Sequence, residues 1–233
     1  IGVNRADILQ RQGMYPAPRG ESSILGLEVS GEIVKCGLGY QGNNWKIQDK
    51  VFGLVSGGGY AEYVVIKFAQ LFKIPKGYSY QEAAATAEVF LTAYQSLFSI
   101  SNLQQKNNVL IHAGASGVGT AAIQLAKVKK CFVVVTTSSD EKAQACLSLG
   151  ADVVINYKDT DFLQWKKDNL PSGFDIIIDV VAGDYLNKNI KVIALDGTIV
   201  MLSMLGGRFS EPVDIAKLLG KRITLTASTL RNR

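Results

Sequence analysis

Cysteine and histidine are scarce in this chain of 233 residues, which has three cysteines and a single histidine. Cys36, Cys131 and Cys146 are odd in number and widely spaced, so they do not make a disulfide framework. A reducing compartment, the cytoplasm, is the expected setting. Cys131 falls in an apolar, β-branched run and reads as a small core residue. With His112 alone and no C-x-x-C pair, the donor set of a zinc site is missing. Long apolar runs are lacking too. The chain is 47% hydrophobic, yet no run approaches the ~18 residues of a membrane helix, and Asp179 interrupts the longest candidate. No leader peptide is visible in IGVNRADILQRQG, where Arg5, Asp7 and Arg11 come early. Ile1 is not a start residue, so the sequence is read as a fragment, a processed form or an incompletely known sequence.

Charge is only mildly unbalanced, at +5. The lysines and arginines are dispersed, with short groups at Lys127/Lys129/Lys130, Lys166/Lys167 and Lys217/Lys221/Arg222 that read as solvated helix faces. A basic surface suits an anionic cofactor. No basic patch interleaved with aromatics is present, so nucleic acid is not the expected partner.

What the chain does have is VLIHAGASGVGTAAIQLAKVKK, residues 109–130. A β-branched run meets a cluster of small residues and then an apolar helical pattern. Strand, tight turn and helix in that order place free N–H groups and a partial positive charge at a helix N-terminus, where a phosphate binds. The spacing Gly114-x-x-Gly117-x-Gly119 differs from the usual G-x-G-x-x-G of dinucleotide folds. The context supports the same reading. CFVVVTT (131–137), DIIIDVV (175–181) and GTIVM (197–201) are further buried-strand runs alternating with helical segments, which predicts an α/β fold with a doubly wound parallel sheet. His112 ends the first of these strands. A hydrogen-bonded strand-end residue is its simpler reading, a catalytic role the alternative.

The first third is built differently. GLEVSGEIV (26–34), KVFGLV (50–55) and YAEYVVI (60–66) are short runs divided by glycine, with Gly57, Gly58 and Gly59 in a loop, and predict antiparallel strands. Ser79-x-x-Glu82 is a capping box before the helical run EAAATAEVFLTAYQSLF. Together these predict a β-rich domain over 1–88 and a nucleotide-binding domain over 89–233.

Six segments in order, NRADILQRQGMY (4–15), GLEVSG (26–31), GGGYAEYV (57–64), LTAY (91–94), HAGASGVGT (112–120) and INY (155–157), resemble the quinone oxidoreductase (zeta-crystallin-like) branch of the medium-chain dehydrogenase/reductase family. Within that branch these segments resemble the tumour-suppressor-inducible subgroup. The resemblance implies a GroES-like substrate domain, a Rossmann domain that binds NADPH, and zinc-independent reduction of a quinone. It also implies that the chain lacks both family termini. In the zinc branch a histidine stands where Leu27 stands in Gly26-Leu27-Glu28.

The family turn A-x-x-G-x-x-G corresponds to Ala113, Ser116 and Gly119. Ala115, Ser116, Gly117 and Val118 are the expected pyrophosphate residues. The Ser116 hydroxyl offers a donor, and its Cβ costs room. An NAD enzyme wants an acidic residue after the second strand. Here Thr136-Thr137-Ser138-Ser139 precede Asp140, Glu141 and Lys142, and the acids suit the first turn of the next helix. By resemblance Ser138 and Lys142 meet the 2′-phosphate, with Tyr157 nearby. By the same route Asn4 and Thr92 lie near the nicotinamide and Tyr15 on the quinone side. Leu202, Met204 and Leu205 follow the strand that meets the nicotinamide amide, contacting it by backbone while their side chains pack. Ala87 stands where the subgroup has proline.

Two other functions fit the same residues: an enoyl or alkenal reductase, and an NADPH-regulated RNA-binding protein. The resemblance also implies a homodimer paired through the edge strand Arg222 to Ser228, and a proline at Thr224 is expected to weaken it.

Overall fold

The computed structural model describes residues 1–38, 40, 42 and 44–230. The chain divides into two units, Ile1–Val89 and Phe90–Arg233.

In the first unit a short helix α1 (Arg5–Arg11) precedes strands β1 (Glu28–Glu32), β2 (Lys50–Leu54) and β3 (Leu71–Lys73), which pair antiparallel in the order β1-β2-β3. The Ser79/Glu82 capping box opens helix α2 (Tyr80–Ala84): the Ser79 hydroxyl accepts from the Glu82 N–H, and the Glu82 carboxylate accepts from the Ser79 N–H. Residues 60–66 do not form the expected strand. The chain bends over 60–62 and has no regular structure over 63–66, with Tyr63 and Val65 exposed, and no ladder forms on these residues. Alternation supplies a pleat, but a strand also needs a neighbouring backbone to pair with. The third strand is instead Leu71–Lys73, whose register on β2 sets Phe72 opposite Phe52. The rings of that pair lie 5.4 Å apart.

Helix α3 (Ala87–Tyr94) crosses the division between the units and continues into a π-helical turn, Gln95–Ile100. The second unit then alternates strictly: β4 (Asn108–Ile111), α4 (Gly117–Val128), β5 (Phe132–Thr137), α5 (Asp140–Ser148), β6 (Val153–Asn156), α6 (Phe162–Asn169), β7 (Phe174–Asp179), α7 (Tyr185–Val192), β8 (Ile193–Met201), α8 (Ile215–Lys221) and β9 (Thr224–Ala227). The sheet is parallel throughout, in the order β6-β5-β4-β7-β8-β9. Leu110, Val134, Ile177, Ile190 and Ile199 are wholly or almost wholly buried around it. Near-continuous apolar strands are what a sheet covered on both faces requires. Strand order reverses at β4, between β5 and β7, and in such sheets the crevice outside the strand ends at the reversal is where ligands bind.

Candidate functional site

The loop at that reversal is the predicted glycine turn. Gly114 lies against β5, where a Cβ would come within 2.6 Å of the Val135 side chain. A Cβ on Gly119 would sit 2.5 Å from the Gly114 carbonyl oxygen. Both glycines therefore bring strand, turn and helix into close contact. Ser116 is the N-cap of α4, its hydroxyl accepting from the Gly119 N–H at 3.1 Å, and its carbonyl accepts from Thr120. The first-turn N–H groups of Gly117 and Val118 have no i−4 acceptor in a helix that starts here. Gly117 is exposed and Ala115, Ser116 and Val118 half-buried. These four residues form one accessible, donor-rich turn suited to a pyrophosphate.

A second corner forms where β5 and β6 end. Lys142, on α5, donates from Nζ to the Ser138 hydroxyl at 3.1 Å. The Tyr157 N–H donates to the Thr137 carbonyl at 3.1 Å, so Tyr157 joins the same corner. Asp140 and Glu141 occupy the first turn of α5, as their helix-opening reading expected, behind the Ser139 N-cap. Thr137 is the residue that sequence reasoning passed over. It is 2% exposed, and its hydroxyl has no hydrogen-bond partner among the described residues. Side chains alternate along a strand. Thr136 turns toward His112, so Thr137 shares the opposite face with Val135 and hence with Gly114. A buried, unsatisfied hydroxyl is costly. On the face of the phosphate turn and beside the Ser138–Lys142 pair, it fits a site completed by a ligand oxygen.

His112 is wholly buried and structural in its surroundings. Its Nε2 faces Asn189 Oδ1 at 2.8 Å, and its Nδ1 faces the Thr136 hydroxyl at 3.1 Å. Asn189 in turn donates from Nδ2 to Asp179 at 2.9 Å. The acceptor-only carboxylate fixes the amide orientation, which fixes the imidazole with its proton on Nε2. Burial pushes the His112 pKa below its ordinary value, against the opposing pull of Asp179 and the Asn189 hydrogen bond.

Comparison with known proteins gives the family. Residues 1–76 match the alcohol dehydrogenase GroES-like domain and residues 117–233 the zinc-binding dehydrogenase domain. The chain belongs to the medium-chain dehydrogenase/reductase family. The human synaptic vesicle membrane protein VAT-1 homolog is 32% identical over 232 residues, covering 98% of this chain and 58% of that protein. The Escherichia coli quinone oxidoreductase, solved with NADPH, superposes with a TM-score of 0.87 at 28% identity, covering all of this chain and 71% of that one. The CurK enoyl reductase superposes at 0.85 and 27% identity, with the same coverage. The chain thus spans under three-fifths of the length of this curated relative.

The description of the matched second domain includes zinc, and the donor set of the described residues does not fit it. Among the described residues no group of three or more His, Cys, Asp or Glu side chains could hold a metal ion. Position 27 is a leucine, which offers no metal donor, and both ring nitrogens of His112 are engaged.

The remaining expected residues fall in both units. Asn4, at the N-cap of α1, donates from Nδ2 to Glu28 at 2.8 Å. Glu28 also accepts from the Glu88 N–H at 2.9 Å, near the start of α3. Burial raises the Glu28 pKa, while the Glu88 and Asn4 bonds lower it. Tyr15 is half-buried just after α1. Thr92 lies in the second unit on α3, where its carbonyl accepts from Ser96 at 2.7 Å. Ala87 is the first residue of α3, the position at which a helix tolerates proline. Leu202 follows β8 and donates its N–H to the Asp179 carbonyl at 2.7 Å. Met204 and Leu205 are 46% and 49% exposed, which corrects the expectation that their side chains pack. They stand on a turn beyond the strand end, closed by the Gly207 N–H on the Met204 carbonyl.

Proposed function

We propose that this chain carries the cofactor site and part of the substrate domain of an NADPH-dependent, zinc-independent quinone oxidoreductase of the zeta-crystallin-like branch, acting in the cytoplasm. The observation that carries the cofactor half is the β5 corner. The orphaned Thr137 hydroxyl, Ser138 and the Lys142 ammonium supply neutral donors and one positive charge, which favour a 2′-phosphate over a bare ribose. Ala115, Ser116, Gly117 and Val118 would hold the pyrophosphate. NADPH, when bound, supplies the hydride, and the protein's part is to hold it and its acceptor in register. Similarity to the NADPH-bound quinone oxidoreductase supports the substrate class. Similarity to an enoyl reductase supports an activated alkene as the second reading, since either acceptor takes the same hydride.

Steady-state NADPH oxidation against a panel of quinones and enones separates the two. For the cofactor site, Lys142→Ala removes a charge-assisted contact worth ~1.5–3 kcal/mol. NADPH binding is expected to weaken roughly 10- to 100-fold with NADH nearly unchanged. Equal losses for both cofactors would reject the assignment.

A homodimer is part of the same proposal. Strand β9 ends the sheet order, so one side of its backbone lacks a partner strand among the described residues. The Ser228 N–H donates inward to the Met201 carbonyl. By strand alternation Thr226 and Thr224 also face β8, while Leu225 and Ala227 direct their N–H groups outward. A proline at 224 would therefore damage the sheet rather than its free edge, and the informative substitution is Leu225→Pro. Sedimentation at micromolar concentration should show a dimer that Leu225→Pro dissociates. A wild-type monomer would sink the idea.

A further inference from the structure

Two alanines of the second unit hold left-handed backbone at strand ends: Ala113, at φ +51°, after β4, and Ala182, at φ +57°, after β7. Alanine rarely takes this conformation, and the surroundings must hold it there. Ala113 opens the phosphate turn, its carbonyl accepting from Ser116 at 2.8 Å. Ala182 sits in a turn tied to the segment after β8. Its backbone bridges to Gly207, and the neighbouring Val181 carbonyl accepts from Gly206 at 2.7 Å.

One continuous line of hydrogen bonds joins the two alanines. The Ala113 N–H donates to the Thr136 hydroxyl at 3.2 Å, and that hydroxyl donates to His112 Nδ1. His112 Nε2 donates to Asn189 Oδ1, and Asn189 Nδ2 donates to Asp179 Oδ2. The other oxygen of Asp179 accepts from the Val181 and Ala182 N–H groups at 2.7 and 2.9 Å. His112, Asn189 and Asp179 are fully buried, and Thr136 is 1% exposed. Each side chain on the line is hydrogen-bonded to the next, so turning one member breaks its neighbour's bond.

We propose that Thr136, His112, Asn189 and Asp179 form a positioning relay that couples the phosphate turn at Ala113 to the Ala182 turn and the 202–207 segment, so that both are set together. Its consequence for cofactor affinity rests on the NADPH reading above; the coupling of the two turns does not.

Amide hydrogen exchange on the chain without cofactor tests the coupling. Asn189→Leu interrupts the relay at its middle, and Asn189→Ser does so while leaving room for a water beside Asp179. Thr136→Ser keeps the hydroxyl and is the conservative control. Exchange over 113–119 and 180–184 is expected to rise together, about ten-fold, in the Asn189 variants. The strand cores of β4 and β7 stay protected, and Thr136→Ser behaves as wild type. NADPH dissociation constants in the folded Asn189 variants rise by about the same factor, whereas a merely structural role would lower thermal stability and leave them unchanged. If neither Asn189 variant folds, Thr136→Val decides: loosening that reaches 180–184 supports the relay, and loosening confined to 113–119 overturns it. Unaltered exchange at either turn in a folded Asn189 variant also overturns it. Turns that loosen together in a chain that does not bind NADPH overturn the cofactor reading alone.

Discussion

The two units solve the burial problem by different means. The second has a parallel sheet whose strands are apolar nearly throughout. Val109, Leu110, Ile111, Val133, Val134, Ile177 and Ile199 have no exposed surface. The first has, among its described residues, three short strands and a small core around Phe52, Ala83 and Ala87, and leaves Val34, Tyr63, Val65, Phe68 and Phe72 open to solvent. Its most buried groups include two carboxylates. Asp7, 2% exposed, accepts from the Asn4 N–H at 2.8 Å, the Gly26 N–H at 3.0 Å and the Tyr60 hydroxyl at 3.2 Å. Glu28, also 2% exposed, accepts from Asn4 and Glu88. Where apolar area is limited, buried carboxylates with several donors each set the loop geometry. Where it is ample, the polar line is reserved for strand ends, where a turn must be held.

The contrast should be largest for a core truncation. Ile177→Ala removes a fully buried side chain from the centre of the parallel sheet and should cost about 3–4 kcal/mol. Phe72→Ala, at a half-open site of the first unit, should cost about 1 kcal/mol. The chain has one tryptophan in each unit, Trp45 and Trp165. Urea unfolding of the Trp45→Phe and Trp165→Phe backgrounds therefore reads each unit separately. Similar costs for the two truncations would erase the distinction.

Next in size is Asp7→Ala. It strands the Asn4 and Gly26 N–H groups and the Tyr60 hydroxyl, and should destabilise the first unit by about 2–3 kcal/mol. The Trp45 transition should shift while the Trp165 transition stays. A shift below about 0.5 kcal/mol would show that Asp7 does not anchor the unit.

The smallest effect sharpens the comparison by its sign. Burial lowers the His112 pKa below 6.5 in the fold. Between the folded and unfolded values the unfolded chain binds more protons. The His112 contribution is therefore complete above about pH 6.5 and is lost as pH falls toward the folded pKa. Burial raises Glu28 above 4.5. There the native state holds the extra proton, so that contribution is complete below about pH 4.5 and lost as pH rises through the folded value. Comparing each protein with His112→Gln and Glu28→Gln across pH 4 to 8 should give difference profiles of opposite slope in the two units. Parallel slopes would contradict the burial argument for one of the two groups.

Much of the second unit could be read from its residues in order. Its strands are β-branched runs, its helices carry an apolar stripe, and Ser116, Ser139 and Asp161 cap α4, α5 and α6 by side-chain bonds to the next turn. These are local interactions, completed within a few residues, and a linear pattern reports them. The same locality made Ser138 and Lys142, one helical turn apart, legible as a pair. The 60–66 run defeated that reading because alternation is local but pairing is not.

Sequence by itself determined the alternating strand and helix order of the second unit, the glycine turn and the capped helix starts, because propensity and periodicity act between near neighbours. Tertiary structure alone decided that Leu71–Lys73 pairs with β2 and that the Thr137 hydroxyl has no partner among the described residues. It also decided that His112, Thr136, Asp179 and Asn189 meet, with His112 and Asn189 77 residues apart. Those outcomes depend on which strands lie side by side. The free energy that decides this comes from burying whole faces of the sheet, a quantity that no short window of residues contains.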